Sequence, residues 1–270
     1  MWNLNDGNNN PRKEDIKCFV IALKDSLRRR ESIEQQLKTL GVEFEFFDAV
    51  DTRKSEESFE PHKRPGRCCL RGGALGCALS HVFCYLEILK RDSDIALILE
   101  DDAVLPKNLK SKLQEIATFL ETRTGKPTVV QLTYSNLYLK AVYHKLKENT
   151  LHRALNATGT VAYVLNKKAA EELAKFLYPV YKEADCWGWL VDHGVVDVFA
   201  IEQPLVKIYD GDSTIDHANA HDLEMDRMIK SERPLLAKIK HMIWSSKPIR
   251  KLFCKVNKCQ PEFTTDDFSD

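Results

Sequence analysis

Apolar positions along this chain fall into short unbroken runs that alternate with helical stripes. Residues 18–23 (CFVIAL) form a continuous apolar run of strand length, the mark of a strand buried on both faces. Residues 27–40 carry Ile33, Leu37 and Leu40 on one helical face, with Gly41 as the stop. Residues 42–47 alternate apolar with acidic, as a half-buried strand does. Strand, helix and strand in such quick succession predict a βαβ unit. Residues 51–73 then break the rhythm with a long, polar, aperiodic stretch. Helical spacing returns over residues 76–90, where Leu79, Val82, Phe83, Leu86 and Leu89 share a stripe. A buried strand over 95–99 (IALIL), a helix over 109–120 and a strand over 128–132 follow. A strand over 161–165, a helix over 168–177 and a strand over 196–201 complete the pattern. The alternation predicts an α/β fold with a mostly parallel central sheet. No internal repeat or second domain interrupts it.

Composition and charge narrow the class. The chain has 270 residues, 43% of them hydrophobic, enough for one substantial core. Its 40 Lys and Arg balance 40 Asp and Glu, which argues against a general nucleic-acid binder. No run of about 18 consecutive apolar residues is present, so no membrane span is expected. The Asn-rich residues 1–15 lack the apolar core of a signal peptide and are expected to be a flexible leader in a cytoplasmic protein. The eight cysteines include no CxxC pair, and read as reduced thiols and small core fillers.

The expected organisation is a main domain over 16–232, a basic amphipathic helical extension over 233–262 and an acidic tail over 263–270. From Arg233 to Pro261 there are eight Lys or Arg and no acid, with Leu235, Leu236, Ile239, Met242, Ile243 and Trp244 at helical spacing. Such a stretch either lies on an anionic membrane surface or packs on the domain with its basic face in water. The first alternative would place the protein peripherally on the cytoplasmic face of the inner membrane. A second basic stretch, with His62, Lys63, Arg64, Arg67 and Arg71, either covers a phosphate-bearing ligand or is a solvated charge run.

The sharpest chemistry is Glu100, Asp101 and Asp102, directly after the buried run 95–99. Buried strands do not normally end in adjacent carboxylates, because like charges repel and desolvation is costly. A divalent cation removes that objection, and Mg²⁺ or Mn²⁺ prefers oxygen ligands. Ligands of open α/β sheets bind beyond the carboxyl ends of the strands, where this triplet is expected. If the chain stays extended, Glu100 and Asp102 point one way and Asp101 the other. Surface turns of the same composition bind nothing, so the triplet alone does not fix a role.

Four segments carry a resemblance to a known family. They are FVIALKDSLRRRESIEQQL (19–37) with FEFFDAVD (44–51), GGALGCALSH (72–81), ALILEDDAVL (96–105) and TGTVAYVLNKKAAEEL (158–173). In this order the chain resembles glycosyltransferase family 25, which includes bacterial lipooligosaccharide galactosyltransferases and collagen galactosyltransferases. The compact length looks like the bacterial branch. The resemblance implies a GT-A fold and inverting transfer from a UDP-sugar, typically UDP-galactose, with Mn²⁺ or Mg²⁺ as cofactor. It implies a lipid-linked oligosaccharide acceptor.

Carried over residue by residue, Ala22, Leu23, Asp48 and Ala49 are expected at the base and ribose. Arg29 and Arg30 are expected near the phosphates, with two exposed helix arginines as the alternative. Gly76, Ser80 and His81 match the family's GCxxSH segment and are expected to position the donor or its sugar. Asp102 is the expected metal ligand and Asp101 the partner of a sugar or ribose hydroxyl. Glu100 replaces the Asp that often opens a DxD motif, and is a second metal candidate. Asp185, in EADCWGW, is the candidate base, with Asp192 as fallback. Trp187 and Trp189 either stack on the acceptor sugar or belong to the core. His217 is a further metal candidate, or part of an ordinary polar turn.

Two other classes compete. A nucleotide-sugar-binding or adhesion module could keep the fold without turnover. A phosphoryl-transfer enzyme or nuclease could use the carboxylates, although the chain has no P-loop.

Overall fold

A computed structural model of the chain describes residues 16–53, 55–134, 137–209 and 234–255. The leader over 1–15, the acidic tail over 263–270 and His217 lie outside the described residues.

The βαβ unit is present. Strand β1 (Lys17–Ala22) leads through α1 (Leu27–Thr39) to β2 (Glu45–Asp48), which pairs parallel to β1. A 3₁₀ segment (Glu56–His62) and helix α2 (Gly72–Lys90) return the chain to β3 (Ile95–Glu100), parallel to β1 on its other side. Short β4 (Ala103–Val104), α3 (Leu109–Glu121) and β5 (Thr128–Gln131) follow. A hairpin of β6 (Leu137–Lys145) and β7 (Thr150–Asn156) precedes β8 (Ala162–Asn166) and α4 (Lys167–Leu177). Helix α5 (Trp187–Asp192), β9 (Asp197–Ile201) and β10 (Lys207–Ile208) come next. The chain then forms α6 (Leu235–Ser245), α7 (Lys247–Phe253) and β11 (Cys254–Lys255).

The central sheet runs β11-β6-β7-β9-β5-β8-β3-β1-β2. Among the described strands, β1, β2, β3, β5, β6 and β9 point one way, so the sheet is mostly parallel by direction. Strands β8, β7 and β11 point the other way and make the sheet mixed by pairing. Strand β8 inserts antiparallel between β3 and β5, where a regular doubly wound sheet would place parallel neighbours. The hairpin β6–β7 escapes the hydrophobic pattern because most of β6 is exposed and its pairing shifts register repeatedly.

Alternating side chains split the core in two. Phe19, Ile21, Ala96, Ile98, Tyr163 and Leu165 face α2, α4 and α5. Cys18, Val20, Leu97, Leu99, Ala162 and Val164 face α1 and α3. Strands buried on both faces explain the unbroken apolar runs. Cys18, Cys69 and Cys84 are buried as core fillers.

Two readings of the sequence change here. Helix α2 is 19 residues long, with a mean hydropathy of 1.4 over its most apolar window, and so is long and apolar enough to cross a membrane. Charged residues are absent from most of it and small ones fill the gaps, so the reading that no such stretch exists is corrected. Leu75, Leu79, Val82, Tyr85 and Ile88 are all buried in the body of the protein, as in a core helix. The basic stretch is also fastened down. Lys63 pairs with Glu56 and Glu60, while the Arg64 guanidinium lies 3.7 Å from the Tyr181 ring centre and donates to Phe176 O. His62 Nδ1 is 2.8 Å from the Tyr178 hydroxyl. His62 and Arg64 tie the segment to α4 and the chain after it, and Lys63 is paired within the segment, so these groups are not a solvated run.

Candidate active site

The carboxyl ends of β1, β2 and β3 lie side by side, with Ala22 opposite Asp48 and Ile21 opposite Glu100. This places Ala22, Leu23, Asp48, Ala49 and the acidic triplet along one edge. Arg30 organises that edge. Its guanidinium donates to Leu23 O at 2.9 Å, to Ala22 O at 2.8 Å and to Asp48, and lies over Phe46. Arg30 therefore braces the strand ends, a use distinct from the expected phosphate contact. Arg29 Nη1 donates to Asp101 Oδ1 at 3.3 Å.

The chain does not stay extended through the triplet. Strand β3 stops at Glu100, and Asp101 and Asp102 form a turn held where Tyr209 N–H donates to Asp102 O at 2.8 Å. Pairing of β4 with β10 supports that turn. The three carboxylates consequently have three different environments.

Glu100 has the fullest set of side-chain partners. Its Oε1 accepts from the Thr160 hydroxyl and lies 3.3 Å from His81 Nε2. With Glu100 ionised, His81 Nε2 donates to it, while Nδ1 lies 2.7 Å from the Tyr163 hydroxyl, which in turn meets the Tyr85 hydroxyl at 2.9 Å. Burial pushes the Glu100 carboxyl up, but His81, Thr160 and Arg29 outweigh it and hold the group below its ordinary range. For Asp101, burial outweighs the Arg29 contact and raises the carboxyl. Asp102 is pushed up to about 7, first by burial and then by the charges of Glu100 and Asp101. Its Oδ1 is buried and meets no hydrogen-bond donor.

That donor set fits a hard divalent cation. A buried carboxylate oxygen without a donor, beside two more carboxylates, is a site that one positive ion would satisfy. Asp102 offers the open oxygen. Glu100 already has protein partners on Oε1. Cys77, His81 and Glu100 also bring ligand atoms within 4.8 Å of one another. Both ring nitrogens of His81 are used within the hydrogen-bond chain above, which explains that cluster as a polar network.

The GCxxSH segment proves to be a brace. Helix α2 starts at Gly72, so Gly76 lies in its second turn and not at its end. A Cβ at Gly76 would lie 2.6 Å from Val50 O, so only glycine allows the helix to approach the chain after β2. Ser80 Oγ accepts from Val50 N–H at 2.8 Å and donates to Gly76 O at 2.6 Å. Ser80 and His81 are each 1% exposed. They hold the end of β2 and the Glu100 carboxylate, and the expected direct contact with the donor is corrected accordingly.

Asp185 joins the acidic edge from the other side. Its Oδ2 accepts from Gly159 N–H at 3.3 Å, and burial raises its carboxyl, with Glu183 and Glu100 adding to the rise. The half-buried Cys77 thiol is pushed up first by burial and then by Glu100, Asp185 and Asp102, so it lies within the field of all three. Asp192 sits at the opposite end of α5 from the Asp185 side.

Trp187 and Trp189 are core residues, 0% and 6% exposed. Trp187 Nε1 donates to Gly159 O at 2.8 Å and its ring meets Tyr163 edge-on at 5.1 Å. Trp189 packs on His193 at 3.8 Å, with Phe176 at 5.4 Å and Tyr181 at 5.8 Å. Covered rings offer no face to a sugar, so the acceptor-stacking alternative is corrected. Gly159 and Thr160, by contrast, serve Asp185 and Glu100 directly without having been singled out. The TGTVAYVL segment contains both, and its place among the matched segments was the available signal.

The sequence profile of glycosyltransferase family 25 (LPS biosynthesis protein) matches residues 15–187. The chain belongs to that family. It is 27% identical over 166 residues to the lipooligosaccharide biosynthesis protein lic2B of Haemophilus influenzae, covering 58% of this chain and 61% of that one. It is 26% identical to the lacto-N-neotetraose biosynthesis glycosyltransferase LgtE of Neisseria gonorrhoeae, covering 57% of this chain and 58% of that one. Similarity to procollagen galactosyltransferase 1-B of Xenopus laevis is 30% identity over 46% of this chain and 21% of that one. The chain thus spans about three fifths of the length of the two bacterial relatives.

Proposed function

We propose that this protein is an inverting, metal-dependent hexosyltransferase of GT-A type that moves galactose from UDP-galactose onto a lipooligosaccharide or related lipid-linked glycan. The observation that carries this reading is Asp102. Its buried, donor-less Oδ1 stands among convergent carboxylates at the carboxyl ends of parallel strands. Family membership and the relatives' own descriptions support the hexosyl class.

On this reading Asp102 holds Mn²⁺ or Mg²⁺, which when bound would supply Lewis-acid stabilisation to the departing diphosphate. The nucleoside lies along Ala22, Leu23, Asp48 and Ala49, on the edge that Arg30 keeps in register. Asp101, held by Arg29, accepts from a hydroxyl of the ribose or the sugar. Glu100 stays ionised between His81 and Thr160 and fixes the end of β3. Asp185 takes the proton of the acceptor hydroxyl as that oxygen attacks the anomeric carbon from the face opposite the diphosphate. A raised carboxyl suits this step, because a stronger base takes the proton more readily. Asp192 is set aside for this role on its place at the far end of α5. The setting is the cytoplasmic face of the inner membrane.

UDP release from a panel of UDP-sugars, with Mn²⁺, Mg²⁺ or EDTA, tests the proposal. The expected result is turnover of UDP-galactose with metal and none with EDTA. UDP binding without release from any sugar, even with lipooligosaccharide present, would favour a non-catalytic binding module on the same fold. No UDP binding at all would remove the reading.

A further inference from the structure

We propose that α6 and α7 form a docking face for an anionic lipid bilayer. Successive residues of a helix are turned by about 100°. Leu235, Leu236, Ile239, Met242 and Ile243 therefore fall in one stripe of α6, and they are 72%, 79%, 41%, 68% and 44% exposed. Ala237, nearly opposite the stripe, is 4% exposed. Helix α6 thus packs on a small residue and turns its large apolar side chains outward, the reverse of a helix laid on a core. Leu252 and Phe253 extend the apolar surface on α7 at 66% and 53% exposed.

Charge identifies the occupant. Lys238, Lys247, Arg250 and Lys251 are exposed, and residues 233–261 contain no acid. A second copy of this face would set basic against basic. A free phosphate would leave the apolar stripe uncovered. An anionic bilayer satisfies both features, with the apolar side chains at the headgroup boundary and the lysines and arginine beside the headgroups.

The face is mounted on the folded body. Strand β11 pairs with β6, Lys140 Nζ donates to Lys251 O at 2.8 Å, and Lys255 pairs with Glu202. In the sheet order β11 stands six strands from β3. At a spacing of about 4.8 Å per strand, the docking edge lies about 30 Å from the acidic triplet along the sheet. Docking does not depend on the transfer reaction. If that reaction holds, the site stays in water with room for a glycan that reaches up from the lipid.

Flotation of the full chain with vesicles of phosphatidylcholine alone, or half phosphatidylglycerol, tests the inference. Point variants are used because deleting the helices would strip β11 from the sheet. We expect binding to the anionic vesicles alone, weakened by about tenfold in L236E/M242E and in K247E/R250E/K251E. Circular dichroism and UDP release in free solution should match the parent in both variants. Absence of flotation with phosphatidylglycerol, or unchanged flotation of L236E/M242E, would overturn docking. A parent dimer in light scattering that L236E/M242E dissolves would overturn it too, and make the stripe a protein interface. None of these outcomes touches UDP release, so docking and transfer stand or fall separately.

Discussion

At the scale of single residues, the three carboxylates of the triplet differ because their surroundings differ. Glu100 is ionised by its donors, Asp101 is shared with Arg29, and Asp102 is left with a buried oxygen and two like charges. Burial and the neighbouring charges of Glu100 and Asp101 push the Asp102 carboxyl up from 3.8 to about 7, so the folded state holds its proton more tightly. Its contribution to metal-free stability is complete below about pH 4 and is lost as pH rises to about 7, a loss of up to about 4 kcal/mol. Asp102→Asn should remove that slope. Denaturant unfolding at pH 5 and pH 8 in EDTA, parent against variant, reads it directly. The variant should gain on the parent at pH 8, should not be further stabilised by Mn²⁺, and should lose UDP release by about a hundredfold or more. An identical pH slope in both proteins would remove Asp102 from the centre of the site.

At the scale of elements, α2 is the part on which the site depends. It holds the end of β2 through Ser80 and the end of β3 through His81, and so sets two of the three parallel strand ends. Gly76 makes that approach feasible. Gly76→Ala adds a Cβ against a backbone oxygen that no rotamer change can move. We expect a stability loss of about 1–3 kcal/mol by urea unfolding. We also expect weaker UDP binding by calorimetry, because Val50 moves with the nucleoside edge. Normal stability together with normal UDP binding would show that the brace has slack.

At the scale of the whole molecule, one sheet separates two cores, and the active edge depends on both. Arg30 comes from the helix layer of α1, and His81 with Trp187 from the layer of α2, α4 and α5. Trp187→Ala should lower stability by about 3–5 kcal/mol in one cooperative transition. A purely acceptor-binding tryptophan would instead leave the denaturation midpoint in place and raise the KM for the glycan. Much of this architecture was legible along the chain. Strands β1, β2, β3, β5, β8 and β9 and helices α1 to α4 follow from apolar runs and stripes, because burial on one or both faces imposes a local period. The acidic triplet was equally legible, since adjacent carboxylates after a buried strand need a special environment wherever the chain runs. Pairing was not. The reversal of β8 between β3 and β5 depends on strands separated by long loops, and β6 carries too little buried apolar surface to show a period. The partners of single side chains were hidden for the same reason. His81 meets Tyr163 across 82 positions and Arg29 meets Asp101 across 72, distances over which no sequence window carries information. The sequence by itself determined which segments are buried and which residues carry charge to the strand ends. Tertiary structure alone decided that the two tryptophans are core, that Arg30, Ser80 and His81 brace the site, and that Asp102 keeps an oxygen open, because each outcome depends on what long-range folding brings alongside.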